Sequence, residues 1–319
     1  MAVNVPAFAD VEAAARVLAP YGVETPLIEN HELNALVGHR VLVKLENLQR
    51  AGSFKFRGAM NRVSRIPEGE RAKGVVAFSS GNHAQGVAEA AGLLSIPALI
   101  VMPHDAPSAK VDGTRARGAE VVLYDRVKDD REAIASRICS ERGATLIRPF
   151  DDFHVVAGQG TVGLEIARAA AAKGIAVDSV LAPCSGGGLI CGIAVAVSHL
   201  SPNTRIVSVE PENFDGMRRS LAAGVRIAAP GGKLSIADAL MAPMPGEIPF
   251  AIAQRLLTKA LTVGDGFLTE AAAYAMRTLK IVAEPSGAAA LAVLLSNGFK
   301  SNGGAVAIVV SGGNCDVRC

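Results

Sequence analysis

The stretch "LAPCSGGGLICGIAVAV", residues 181 to 197, reads as a short apolar strand that runs into Ser185, Gly186, Gly187, Gly188 and Leu189 and continues as a helix. Three glycines in succession leave backbone N–H groups bare at a helix N-terminus, where they and the helix dipole favour an anion. The turn is therefore a candidate phosphate cradle, set against the plainer alternative of a glycine-rich connection. No Lys-Ser/Thr pair follows the glycines and their spacing is not G-x-G-x-x-G, so nucleoside triphosphate and dinucleotide readings lose ground.

On either side the same grammar repeats. "HRVLVKLE" (39 to 46), "GVVAFSS" (74 to 80), "PALIVMP" (97 to 103), "AEVVLYD" (119 to 125), "DSVLAPCS" (178 to 185), "TRIVSVEP" (204 to 211) and "AVAIVVSGG" (305 to 313) read as strands. Between them "NHAQGVAEAAGLL", "PSAKVDGTRARG", "DDREAIASRICSERG", "GTVGLEIARAAAAKG" and "LICGIAVAVSHL" have helical composition and length. Near-continuous apolar strands joined by helical crossovers predict an α/β protein with mostly parallel sheet covered on both faces. The run from 74 to 125 holds three strands and two helices, enough for a small domain set inside a larger one. The expected division is 1–73 and 152–319 for the large domain and 74–151 for the small one.

Composition narrows the partners. The 319 residues carry 32 Lys and Arg against 30 Asp and Glu, a net charge of +2, with no basic run to favour nucleic acid or an anionic membrane. The longest apolar runs fall far short of the ~20 residues that span a bilayer. The first residues lack the basic start and apolar middle of a secretory signal, which predicts a cytoplasmic protein with a small-molecule partner. The five cysteines form no C-x-x-C pair and no zinc-spaced cluster, and Trp is absent.

In open parallel sheets ligands collect at the carboxyl ends of the strands. Three further turns of this kind stand out. "FSSGNHAQGVAEAAG" puts Ser79, Ser80, Gly81, Asn82 and His83 between strand and helix, where bare amides could take a carboxylate and the Asn82 amide a phenolic oxygen. "AIVVSGGNCD" sets Ser311 at a strand end, its hydroxyl suited to a ring nitrogen. "AGSFKFRGAMNRV" (51 to 63) sets Lys55 between Phe54 and Phe56 at a helix start. Alone, each has an ordinary reading as a capping turn or a helix-end lysine. Together, a lysine, a phosphate cradle, a partner for a phenolic oxygen and one for a pyridine nitrogen describe a site for pyridoxal 5′-phosphate.

The segments "GSFKFRGA", "SSGNHAQGVA", "FDDFHVVAGQGTVGLEI", "SGGGLICG", "VEPE", "EPSGAAAL" and "SGGN", in this order, resemble the serine/threonine dehydratase and serine racemase family, which includes 3-hydroxyaspartate and phenylserine dehydratases. The resemblance implies the tryptophan-synthase-β-like fold (fold type II among pyridoxal phosphate enzymes): two open, mostly parallel sheets with flanking helices, the small domain inserted in the large one. It also implies a homodimer. By it Lys55 bonds covalently to the cofactor and serves as catalytic base, with Phe54 beside the ring. Ser185, Gly186, Gly187, Gly188 and Leu189 hold the phosphate, Asn82 the 3′-oxygen and Ser311 the pyridine nitrogen. The turn from Ser79 through Ser80, Gly81 and Asn82 to His83 takes the substrate α-carboxylate. The implied activity is an ammonia-lyase that dehydrates a β-hydroxy-α-amino acid to a 2-oxo acid.

Four positions bear on what the resemblance leaves open. Ser80 stands where, by the resemblance, many threonine dehydratases have alanine and the racemases and hydroxyaspartate dehydratases have serine, so it is a second catalytic candidate and racemisation is the alternative activity. Members that bind a divalent cation have Glu-Pro followed by paired aspartates, whereas "VEPENFDGM" keeps Glu210 and Asp215 but has Gly216 in place of the second aspartate. That weakens a hard-cation site and leaves Glu210 as the residual metal-ligand candidate. The segment "ADALMAPMPGEIPF" (237 to 250) is apolar at Met241, Ala242, Pro243 and Met244, which suits either ordinary packing or a larger apolar β-substituent. Arg131 aligns with an arginine that racemase-like members place near a substrate carboxylate, and it would favour 3-hydroxyaspartate if it turns inward. The β-substituent stays open among methyl, hydrogen, carboxylate and phenyl. A non-enzymatic binding protein and a β-replacement enzyme are the competing classes; a base such as Lys55 argues against the first and the "GSFKFRGA" context against the second.

Overall fold

The computed structural model describes residues 3–79, 81–106 and 108–315. Its strands are β1 (Leu27–Glu29), β2 (Val41–Leu45), β3 (Val75–Phe78), β4 (Ala98–Pro103), β5 (Glu120–Tyr124), β6 (Thr145–Leu146), β7 (Val177–Pro183), β8 (Arg205–Pro211), β9 (Lys259–Val263) and β10 (Ala305–Val310). The helices are α1 (Phe8–Leu18), α2 (His31–Val37), α3 (Lys55–Val63), α4 (Asn82–Leu93), α5 (Ser108–Arg115), α6 (Arg131–Arg142), α7 (Phe153–Ala172), α8 (Gly188–Leu200), α9 (Gly216–Ala223), α10 (Glu247–Leu256), α11 (Asp265–Tyr274) and α12 (Ala289–Leu295).

The strands make two sheets, one in the order β1-β2-β10-β7-β8-β9 and one in the order β5-β4-β3-β6. Every pairing is parallel except β1 on β2. The fold is thus α/β with two open, mostly parallel sheets and flanking helices. Strands β2 and β10 are buried at every residue, because each lies inside its sheet with helices over both faces. On one face of the larger sheet α7 and α8 pack against Val180, Ala182, Ala307 and Val309; on the other, α11 and α12 cover Leu181, Val207 and Ile308. Among the described residues no helix is long and apolar enough to cross a membrane.

Strands β1, β6 and β9 go beyond the seven that the sequence predicts. Each is three, two or five residues long at a sheet margin, and β9 is exposed or half-buried over its first four residues, so its sequence lacks a continuous apolar run. Helix α7 also begins seven residues earlier than the "GTVGLEI" segment predicts, at Phe153, because the Asp152 carboxylate accepts hydrogen bonds from the His154 and Val155 amides and caps it there.

A buried charge cluster fixes the start of α3. The Arg57 guanidinium donates to both oxygens of Glu46 (2.7 and 2.8 Å) and to Glu165 on α7, and Lys44 on β2 pairs with Glu165. Lys44, Glu46 and Arg57 are each at most 2% exposed, so the helix carrying Lys55 is tied to a sheet strand by ions shielded from water, and to α7 through the partly exposed Glu165.

Candidate active site

One cavity lies where the carboxyl ends of both sheets meet, and Lys55 stands at its floor. Lys55 is the first residue of α3, and the chain just before it is pinned: the Phe54 amide donates to the Ser311 carbonyl (3.1 Å) and Ser53 bridges Gly312. The Lys55 amine donates to the Pro149 carbonyl (2.8 Å) and lies 5.2 Å from the centre of the Phe54 ring. Burial lowers its pKa to about 8. The amine is consequently much easier to free of its proton than an exposed lysine of pKa near ~10.4. In the cofactor-free protein, the rate of reductive methylation at Lys55, read by peptide mass spectrometry, is expected to climb with pH and level off above about 8. A midpoint near that of exposed lysines would contradict the burial.

The glycine turn enters α8 with Gly187 at φ +96°, a conformation open to glycine and strained for other residues. A Cβ on Gly186 would meet the Phe150 ring at 2.3 Å, so the ring lies directly on the bare backbone. The Ser185 hydroxyl accepts from the Ala242 amide (2.9 Å), which ties the turn to the loop opposite. Leu189 and Gly188 complete this wall of the cavity.

On the facing wall Asn82 opens α4. Its amide nitrogen donates to Glu284, and its oxygen accepts from the Asn314 amide (2.9 Å), whose nitrogen also donates to the Ala51 carbonyl (2.7 Å). These partners fix which end of the Asn82 amide is the donor. Glu284 is 2% exposed, burial raises its pKa to about 7, and its second oxygen has no hydrogen-bond partner among the described residues. Glu284 and Asn314 lie in the "EPSG" and "SGGN" segments, yet no role is legible for either from sequence, because each acts by orienting a residue more than 200 positions away.

The remaining candidates distribute as follows. His83 lines the cavity with Nε2 on the Ile147 carbonyl (2.9 Å); burial, then the Lys55 charge, lowers its pKa to about 3, so it is neutral. The Ser79 hydroxyl accepts from the Gly81 amide (3.1 Å) and shapes the turn; Ser80 lies outside the described residues. Ser311 borders the cavity, almost fully buried. Arg131, first residue of α6, also borders it, with its guanidinium 5.5 Å from the centre of the Phe78 ring. Met241 and Ala242 line the cavity, whereas Met244 is 36% exposed.

Glu210 is turned elsewhere. Its two carboxylate oxygens accept from the Met217 and Arg218 amides (both 2.8 Å), so it anchors the N-terminus of α9, and burial raises its pKa to about 8. Asp215 pairs with Arg218 and Arg219. Among the described residues no group of three or more His, Cys, Asp or Glu side chains could hold a metal ion.

The residues present fit pyridoxal phosphate. A cradle that a Cβ would fill, a lysine amine beside an aromatic ring, an oriented carboxamide and a strand-end hydroxyl share one cavity. Gly186→Ala, which must push Phe150 off the turn, is expected to lower stability by about 1–3 kcal/mol and to speed loss of the cofactor on dialysis, followed by absorbance. Unchanged retention would remove the turn from the cradle.

Comparison with known proteins agrees with this chemistry. A family model described as pyridoxal-phosphate dependent enzyme matches residues 18–312. The L-threo-3-hydroxyaspartate ammonia-lyase of a Pseudomonas species is 43% identical over 97% of this chain and 95% of its own. Among solved structures, maize serine racemase superposes with a TM-score of 0.94 at 36% identity, over 98% of this chain and 95% of that one. A threonine deaminase from T.th. gives 0.93 at 43% identity, over 98% of this chain and all of that one.

Proposed function

Because this chain belongs to the pyridoxal-phosphate dependent enzyme family, we propose that it is an ammonia-lyase whose preferred substrate is a β-hydroxy-α-amino acid bearing a second carboxylate, as in L-threo-3-hydroxyaspartate. The observation that carries the choice of substrate is the state of Arg131. The other ionic groups lining the cavity are occupied: Asp238 pairs with Lys110 (2.6 Å), Lys55 bonds the Pro149 carbonyl and Glu284 holds Asn82. Arg131 has no carboxylate partner among the described residues, and it sits in the first turn of a helix, where the dipole disfavours a cation. An anionic group of the substrate would relieve both conditions, and a guanidinium recognises a carboxylate with two parallel hydrogen bonds.

The division of labour follows from position. The glycine turn and the α8 N-terminus take the phosphate, Asn82 the phenolic oxygen, Ser311 the ring nitrogen, and Phe54 one face of the ring. When bound, pyridoxal phosphate supplies an electron sink conjugated to the substrate Cα. The Lys55 amine, brought by burial to a pKa of about 8, removes the Cα proton in its unprotonated form. The turn from Ser79 to His83 holds the α-carboxylate with backbone amides at the α4 N-terminus, and Arg131 holds the distal one. The proton taken by Lys55 goes to the departing β-hydroxyl, which leaves as water; the enamine tautomerises to an imine, one water hydrolyses it, and a 2-oxo acid and ammonia are released.

The test compares kcat/KM for L-threo-3-hydroxyaspartate, L-threonine, L-serine and L-threo-phenylserine, in wild type and Arg131→Gln. Preference for hydroxyaspartate that falls at least about tenfold in the variant, the scale of one charged hydrogen bond, is expected; preference for phenylserine would instead credit Met241 and Ala242. Racemisation is a second reading, supported by the serine at position 80 and by the likeness to maize serine racemase. Chiral analysis of the same reactions measures it, and Ser80→Ala would suppress it more than elimination. The family resemblance further supports a cytoplasmic homodimer, checked by sedimentation.

A further inference from the structure

Among the described residues the Arg131 guanidinium has no ion-pair partner and lies over an aromatic ring. That ring belongs to Phe78, the last residue of β3. Phe78 is 4% exposed and packs in a cluster with Val76, Leu99, Val101 and Tyr124 and with Ala135 and Ile138, the last two on the same helix as Arg131. The ring is therefore fixed to the sheet and to α6 whether or not the guanidinium lies on it. A guanidinium over an aromatic face is attracted through its charge and keeps its N–H donors, which lie in its own plane, unspent.

We infer that Phe78 is a positioning residue for specificity: its ring pre-orients the Arg131 guanidinium toward the cavity and so sets the preference for substrates with a second carboxylate. This rests on the reading of Arg131 as the carboxylate's partner. Without the stack, Arg131 would have to order a flexible side chain each time the substrate binds, a cost that falls on dicarboxylic substrates alone.

The experiment uses the holoenzyme in four forms: wild type, Arg131→Gln, Phe78→Leu, and a protein with trifluorophenylalanine at position 78, which keeps the ring's shape and withdraws the negative charge of its face. Two ratios are read. One is kcat/KM for L-threo-3-hydroxyaspartate over L-threonine; the other is the calorimetric affinity for L-aspartate over L-alanine, which needs no turnover. Phe78→Leu is expected to lower both ratios by about tenfold. The fluorinated ring should reproduce most of that drop with threonine kinetics and Tm unchanged. Equal losses on both substrates, or a fluorinated protein that behaves as wild type, would reduce Phe78 to a core residue and overturn the inference. If wild type shows no dicarboxylate preference and Arg131→Gln changes nothing, the reading of Arg131 itself fails. If Arg131→Gln abolishes the preference while the Phe78 forms keep it, the inference about Phe78 alone fails.

Discussion

Lys55→Ala is expected to reduce 2-oxo acid release by at least about a thousandfold, the range spanned by loss of a positioned base and a covalent anchor. Two features make this the largest effect of any single change. The amine is the basic group at the cavity floor, lowered to about 8 by burial, while the nearby imidazole of His83 is held neutral with a pKa near 3 and is bonded to the Ile147 carbonyl. Among the described residues no second group therefore stands ready to take over the Cα proton from that side. The readouts are oxo acid release and the mass of the chain after borohydride reduction, which reports covalent attachment of the cofactor. Turnover retained in the variant would assign the proton to another residue.

Arg57→Met comes second in size, and acts on stability. Removing one partner from a buried ion cluster leaves the others desolvated and uncompensated, at a cost of about 3–5 kcal/mol. Burial acts to raise the pKa of Glu46, but the charge of Arg57, its hydrogen bonds and then Lys44 outweigh it and hold the carboxyl below its usual range. A carboxyl lowered on folding contributes stability that is present above its unfolded pKa and is lost as the pH falls through the folded one. Urea unfolding at neutral pH should thus show a large loss in Arg57→Met, and the difference from wild type should shrink as the solution is acidified. A loss below about 1 kcal/mol, the scale of a surface pair, would mean that the cluster relaxes or admits water.

What the sequence discloses follows from how local each signal is. Lys55, Asn82, the glycine turn and Ser311 were legible because each stands where a strand gives way to a helix or loop, a junction that composition marks; the structure brings all of them to one cavity. Phe78, Asp238, Glu284 and Asn314 were not assigned roles, since their meaning depends on residues that only the folded chain places beside them. The early start of α7 is hidden by Val155, Val156 and Gly158, which lower helix propensity. In place the glycines of α7 serve packing: a Cβ on Gly160 would stand 2.9 Å from the Gly192 carbonyl, so α7 and α8 approach through bare backbone. Glu210 shows what a local signal leaves out, for a carboxylate that matches part of a metal pattern here accepts from the amides that open α9.

The chain's return from the four-stranded sheet toward α7 has a consequence for how this protein can vary. Over four consecutive residues it touches four different parts of the site's framework: the Pro149 carbonyl accepts from Lys55, Phe150 lies on Gly186, Asp151 accepts from the Ile248 amide at the start of α10, and Asp152 caps α7 while pairing with Arg62 of α3. Insertion or deletion of one residue here would shift all four registers at once, and no local rearrangement could restore more than one. Residues 126–129, exposed between β5 and α6, carry no such burden. Length variation, loop grafts and tag insertions should accumulate there, while the return crossing keeps a fixed count of residues.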